Sequence, residues 1–246
     1  MDILHPEVLA KMLEVLRKYR YNKIENFIFD FITLEWMSML YDYLQQNYAP
    51  DEPILISDLK TIGIPMNTIR QQLKRLSDSG KLKRLDTGIY YLPKPSLFKS
   101  GTAPSLSDVI RCKYLREGQD CCGYLTGVAF ANQIGMTTQL PMAYEIVTNK
   151  AKTKYKKTRL GRTDIILRQP RAKVTPANAK VLQLLDFLKE ADLLAEIEGK
   201  DLSRKTLAYM RQNQVSFPDL KPYLSLYPDR IFRNLYEMGL LDGVSA

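Results

Sequence analysis

The chain of 246 residues holds a single histidine, His5, near its start. A Ser-His-Asp or Cys-His arrangement therefore lacks a convincing base. Three cysteines, Cys112, Cys121 and Cys122, two of them adjacent, make no disulfide framework and lack the spacing and fourth partner of a zinc site. A reducing cytoplasm is the expected compartment. There is no Gly-rich phosphate loop. Long apolar runs are missing too: the most hydrophobic stretch, IENFIFDFITLEWMSMLYDYL, is broken by Glu25, Asp30, Glu35 and Asp42, which excludes an ordinary membrane span. The opening MDILHPEVLAKM is acidic and helix-like, unlike a secretory signal. The 45% hydrophobic and 10% aromatic content describes a soluble globular protein, long enough for one large domain or two ordinary ones. Neither a cofactor nor a metal is expected, and an enzymatic role is not.

Positive charge is present and unevenly spread. The formal charge is +9. Residues 150 to 173 carry ten Lys and Arg against one acid, Asp164, which equals the whole net charge. Within the balanced remainder, residues 57 to 95 carry a net +5 and residues 1 to 56 a net −4. Two local basic surfaces of this kind suit polyanions.

The stretch NTIRQQLKRLSDSGKLKRLDTGIYYLP, residues 67 to 93, predicts a helix followed by a basic hairpin. Ile69, Leu73 and Leu76 form one apolar stripe. Gln71, Lys74, Arg75 and Asp78 point the other way, with Arg70 and Gln72 on the flanks. Asn67 or Thr68 is expected to cap the helix, Thr68 to Gln71 fitting a capping box, and Gly80 to stop it. Lys81 to Leu92 reads as two strands joined at Asp86-Thr87-Gly88. Upstream, residues 6–20 and 34–48 have helical spacing, Thr33 capping the second. ISDLKTIGI reads as a short helix with Ser57 as its cap and Leu59 and Ile62 facing inward. The sum is a winged helix-turn-helix over about residues 30 to 95.

PKPSLFKSGTAPS, about residues 93–105, reads as a linker. Beyond it SLSDVIRCKYLREG is expected to be a helix ending at Gly118, YLTGVAFANQIG a helix ending at Gly135, and AYEIVTNK a strand. TKYKKTRLGRTDIILRQPR suggests two strands around Leu160-Gly161-Arg162. Thr175-Pro176 signals a helix start, with Val181, Leu184, Leu185 and Leu188 as its buried stripe. Helices near 202–213 and 228–238 close the chain. The expected fold class is α+β: a helical extension and winged helix-turn-helix in 1–95, then a mixed α/β domain in 96–246 ending in helices.

The run TIRQQLKRLSDSGKLKRLDTGIYYLP, then GYLTGVAFANQIGMTTQLPMAYEIVTNK with its N-Q-x-G-x-T-T-Q-x-P core at Asn132 to Pro141, then IILRQPR, resembles the AbiEi-type antitoxins. These are DUF6088-like proteins of abortive-infection (phage defence) and type IV toxin–antitoxin systems. The resemblance implies a winged helix that binds its own promoter and represses the operon. It also implies a C-terminal domain that antagonises a cognate nucleotidyltransferase toxin without requiring a stable complex. The partners implied are operator DNA and that toxin, and no membrane.

On the residues themselves, Asn67, Thr68, Arg70 and Gln71 suit base reading, because amides and guanidinium pair bidentately with purines. Lys74, Arg75, Lys81, Lys83 and Arg84 suit phosphate contact. The plainer alternative is a scaffold with a solvated charged face. In the basic segment, Lys150, Lys152, Lys154 and Lys156 are expected to line one face of a strand. With Lys157, Arg159 and Arg162 they are candidates for antitoxicity, and equally for lysine protection of a sheet edge. A metal-dependent nuclease would draw on Asp120, Glu145 and Lys150, and a ligand-sensing regulator is the third reading. Tyr90 and Tyr91 read as packing rather than stacking residues.

Overall fold

The computed structural model describes residues 39–95 and 101–241. The expected helix at 6–20, the start of the helix at 34–48 with its Thr33 cap, and the middle of the linker lie outside the described residues. The secondary structure is mixed α and β, with open sheets. The described residues divide between Pro104 and Ser105 into two compact units.

In the first unit, helix α1 covers 39–47 of the described residues, with Leu40 and Leu44 fully buried one turn apart. Strand β1 (Ile54–Leu55) follows, then a 3-10 turn (Asp58–Ile62), helix α2 (Met66–Asp78), strand β2 (Lys83–Asp86) and strand β3 (Ile89–Tyr91). The sheet order is β1-β3-β2, all antiparallel, with a bulge between Arg84 and Asp86. Ile69, Leu73 and Leu76 bury the predicted stripe of α2 against Leu40, Leu44, Ile54 and Leu59. Tyr90 and Tyr91 are buried, as packing residues.

Three local expectations differ. Pro65, with an extended ψ of 135°, occupies the cap position of α2, so Asn67 and Thr68 lie inside its first turn. Proline fixes its own φ and leaves its carbonyl to receive the Ile69 N–H at 3.0 Å. Ser57 is itself helical and caps nothing; Leu59 is buried but Ile62 is only half-buried. Gln72 is not a flanking surface residue but is wholly buried.

The second unit starts with α3 (Leu106–Ile110), capped by the Ser105 hydroxyl, which accepts from Asp108 N at 3.1 Å. A π turn (Arg111–Leu115) continues it. The helical stretch therefore stops at Leu115, not Gly118. Arg116–Glu117 (β4) and Asp120–Cys121 (β5) pair as a small hairpin, and Gly118, at φ 60°, lies in its turn.

A four-stranded sheet then forms from β6 (Gly123–Thr126), β7 (Ala143–Thr148), β8 (Tyr155–Leu160) and β9 (Thr163–Arg168), in the order β6-β7-β9-β8. β7 and β9 run parallel and the other pairs antiparallel. β6 replaces the first turn of the helix expected over YLTGVAFANQIG. Gly127, at φ 62°, makes the break, and helix α4 (Gly127–Gln133) follows.

Helix α5 (Ala179–Leu188) is buried at every position but Lys180, as its near-continuous apolar run requires. It begins after a turn at 176–178, so Thr175 is not its cap; the Asn178 Oδ1 instead accepts from Thr175 N at 2.8 Å. Short α6 (Ala191–Leu194), α7 (Gly199–Gln212), α8 (Phe217–Leu220), a 3-10 turn (Lys221–Leu226) and α9 (Arg230–Glu237) complete the unit. Phe130 meets Phe187 edge-on at 6.1 Å and Tyr209 at 5.3 Å, which locks α4, α5 and α7 together.

The polar groups of α5 are satisfied from outside. Gln183 donates to Leu125 O and accepts from the Tyr209 hydroxyl, and Asn234 Nδ2 donates to Leu188 O. Satisfied on both atoms, Gln183 stands in the core without the penalty of an unmade hydrogen bond.

Candidate nucleic-acid interface

Helix periodicity makes α2 two-faced. With Ile69, Leu73 and Leu76 buried, the offsets of three, four, seven and eight put Asn67, Arg70, Gln71, Lys74 and Arg75 on the opposite face, and all five are exposed. Thr68 is half-buried at the margin. Arg70 donates from Nη1 to Asn67 Oδ1 at 3.0 Å, so amide and guanidinium form one planar-group surface near the start of the helix. That surface is made of the side chains best suited to purine edges, and it lies N-terminal to the two cations Lys74 and Arg75.

The remaining candidates follow directly. Lys81 is exposed and holds its ammonium 4.9 Å from the Tyr41 ring centroid. Lys83 and Arg84 open β2. Arg84 is exposed, its Nε donating to Asp86 O at 3.3 Å, while the half-buried Lys83 lays its ammonium beside Gly101. Eight of the nine candidates of the first unit thus belong to one helix and the strand that follows it, and Lys81 lies in the short link between them.

The lysine stripe of the second unit does not form. Its strand, β8, starts only at Tyr155, and Lys150, Lys152 and Lys154 precede it in a bend. The cause is local. Thr148 Oγ1 accepts from Lys150 N, and Ala151 N donates to Thr148 O, which turns the chain as β7 ends. Lys150 then folds back, its ammonium donating to the carbonyls of Lys113 (3.1 Å) and Arg116. It is a structural tie, not part of a surface. Lys152, Lys154, Lys156, Lys157 and Arg162 are exposed, and Arg159 pairs with Asp164 at 2.7 Å across the β8–β9 hairpin. β8 is an edge strand.

The nuclease-like trio is separated by its partners. Lys150 is held by backbone carbonyls, Glu145 Oε2 meets Arg168 at 2.7 Å, and Asp120 stands on the small β4–β5 hairpin. Among the described residues, no group of three His, Cys, Asp or Glu is placed to hold a metal ion. Cys122 is buried, and burial raises its thiol pKa.

Two features were not anticipated. The Asn132 to Pro141 segment is a built loop: Asn132 Nδ2 donates to Thr137 O and Gln139 O, and Thr138 donates through both N and Oγ1 to Glu196 Oε2. These bonds hold the Glu196 carboxyl below the usual range.

The second feature is a polar cleft of about 440 Å³ between the β7–β9 face of the sheet and the C-terminal end of α5. At its base Asp186, buried, accepts from the Tyr124 hydroxyl at 2.7 Å. Burial raises the Asp186 pKa; the Tyr124 bond and the nearby Lys189 and Arg171 charges oppose that rise. Burial and the Asp186 charge both push Tyr124 upward. The ordering of these residues depends on pairing between distant strands, which no local spacing announces.

The two units and their sheets define a mixed α and β protein with an exposed basic helix in its first unit. The chain belongs to DUF6088, a family of unknown function, which matches residues 50–205, from just before β1 into α7. No curated protein matches the chain. Among the described residues, no helix is long and apolar enough to cross a membrane.

Proposed function

We propose that the chain is a DNA-binding repressor of its own operon, in which about residues 30 to 95 act as a winged helix-turn-helix. In this reading α2 is the recognition helix and the β2–β3 hairpin is the wing. The observation that carries it is the exposed face of α2, where Asn67, Arg70 and Gln71 precede Lys74 and Arg75 while the opposite face is fully buried. A helix N-terminus in the major groove reads bases, and the cations further along, with Arg84 and Lys83 on the hairpin, meet phosphates. The second unit, in this proposal, antagonises a nucleotidyltransferase toxin encoded beside it; support comes from the resemblance of the 123–150 and 165–171 segments to the AbiEi-type antitoxins. The protein itself is proposed to have no enzymatic activity and to act in the cytoplasm.

The test is a mobility-shift titration of the full-length protein on the DNA upstream of its gene and on random DNA. Arg70→Ala or Gln71→Ala should remove about 1–3 kcal/mol of discrimination between the two. Lys83→Ala with Arg84→Ala should weaken binding to both alike, each lost phosphate contact flattening the salt dependence by about one unit of slope. Equal affinity of the unaltered protein for both DNAs would refute specific repression. Co-expression with the neighbouring nucleotidyltransferase, scored as restored growth, tests the antitoxin role separately.

A further inference from the structure

The cleft of the second unit has a size, a charge and an unmet donor that together point to a ligand. Its 440 Å³ lies within the range of small-molecule sites, about 300–1,000 Å³. Four cations line it, Lys154, Arg168, Arg171 and Lys189, against the acids Glu145, Asp186 and Glu190. Two of the acids are already taken: Glu145 pairs with Arg168 at 2.7 Å and Glu190 with Lys189 at 2.8 Å. One cation is in surplus over the acids: Arg171 donates to Leu226 O at 2.6 Å and lies near Asp186, and the exposed Lys154 has no acid of its own in the cleft.

Arg168 is the informative residue. Its Nη2 holds Glu145, yet its Nε is buried and has no hydrogen-bond acceptor among the described residues. A buried N–H without an acceptor costs about 1–3 kcal/mol, so an acceptor is owed to this position. The same guanidinium lies 5.8 Å from the centroid of Tyr155, its partner across the β8–β9 ladder. Tyr155 is 48% exposed, so an aromatic face stands open to solvent beside the cationic cleft. Phosphate-seeking cations next to an open aromatic ring are the combination that accepts a phosphate and stacks a base. A cleft of this volume between sheet and helix suits a single nucleotide better than a continuous strand.

We propose that this cleft binds a nucleoside phosphate, with Lys154, Arg168 and Arg171 meeting the phosphates and Tyr155 stacking the base. The site lies wholly within the second unit and does not depend on DNA binding by α2. Ligand binding is read directly, so its failure would leave the repressor reading untouched.

The experiment is calorimetric titration of the full-length protein with ATP, GTP, CTP and UTP, and with inorganic tripolyphosphate. Saturable binding of at least one nucleotide at one site per chain is expected, with tripolyphosphate weaker. Lys154→Gln, at an exposed position that leaves the core intact, should weaken that nucleotide about tenfold. Arg168→Lys keeps the charge opposite Glu145 but lacks Nε, and should weaken it by a similar factor. Tyr155→Ala should abolish the preference over tripolyphosphate. Lys152→Gln, an equal loss of charge outside the cleft, should change nothing. Absence of saturable binding, affinity unaltered in both cleft variants, equal loss in Lys152→Gln, or equal affinity for tripolyphosphate would overturn the assignment.

Discussion

Replacing Tyr124 by Phe deletes one oxygen from the interior of the second unit and should produce a stability loss that depends on pH. The hydroxyl is buried and donates at 2.7 Å to Asp186 Oδ2; of the two cations that act on that carboxyl, Lys189 is 3.9 Å away and Arg171 adds to it. A hydrogen bond to a charged group is worth about 1.5–3 kcal/mol, so a loss near the middle of that range is expected at neutral pH. The direction with pH follows from Asp186. Burial raises its folded pKa above the ordinary 3.8, so ionising it opposes folding, and its contribution falls as pH rises from the unfolded value through the folded one. Tyr124 restrains that rise by favouring the charged form. Without it the folded pKa climbs further, and the variant loses more ground as pH increases. The gap between the two proteins should therefore be wider at about pH 7.5 and narrow towards about pH 4, as the carboxyl takes up its proton. Urea unfolding followed by circular dichroism at the two pH values measures it. A gap that is the same at both, or below about 0.5 kcal/mol at the higher pH, a size typical of ordinary surface changes, would refute the reasoning. Asp186→Asn keeps an acceptor for Tyr124 and removes the buried charge, so it should unfold within about 1 kcal/mol of the unaltered protein at pH 7.5.

Lys150→Met should destabilise the second unit by about 1–3 kcal/mol, because the carbonyls of Lys113 in the π turn and Arg116 in β4 lose their donor; Lys152→Gln, two residues on but exposed, should stay within about 0.5 kcal/mol in the same denaturation assay. Changing Lys152, Lys154, Lys156 and Lys157 together to Gln should leave the fold and promoter binding intact while abolishing growth rescue. Normal rescue by a soluble, folded variant would remove these lysines from the proposed antitoxin mechanism, and faster aggregation would mark them as guards of the β8 edge.

What the sequence made readable was periodic or punctuated. The stripe of Ile69, Leu73 and Leu76 has the spacing that burial imposes on a helix, and the residues opposite it are exposed for the same geometric reason. The turns at Thr87-Gly88 and Gly161-Arg162 are marked by glycine between β-forming residues. β1, at two residues, is too short to show alternation and is defined only by its partner β3. β6 was hidden because GYLT runs into a helix without a break other than one glycine. The lysines at 150, 152 and 154 had the spacing of a strand face, but spacing sets no strand where the hydrogen bonds of Thr148 turn the chain. The cleft was the least legible. Asp186 sits in the apolar run VLQLLDFL, where a single acid reads as a surface position, and the pairing of Arg168 with Glu145 exists only because β7 and β9 run side by side in parallel.

That parallel pairing sets the order in which the sheet can assemble. β8 and β9 meet across a two-residue turn, a closure that hairpins complete within about 1–10 μs. β9 finds β7 only after the chain has passed through the whole of β8, and β7 finds β6 across α4 and the Asn132 to Pro141 loop. Non-local pairings of this kind are slower, because the intervening segment must be ordered before the contacts form. The hairpin is therefore expected to form first and to dock on β7 along a single seam. The cleft residue Arg168 stands on one side of that seam and Glu145 on the other, so amide exchange along β8 and β9 should report opening of the cleft before the buried α5 lets go.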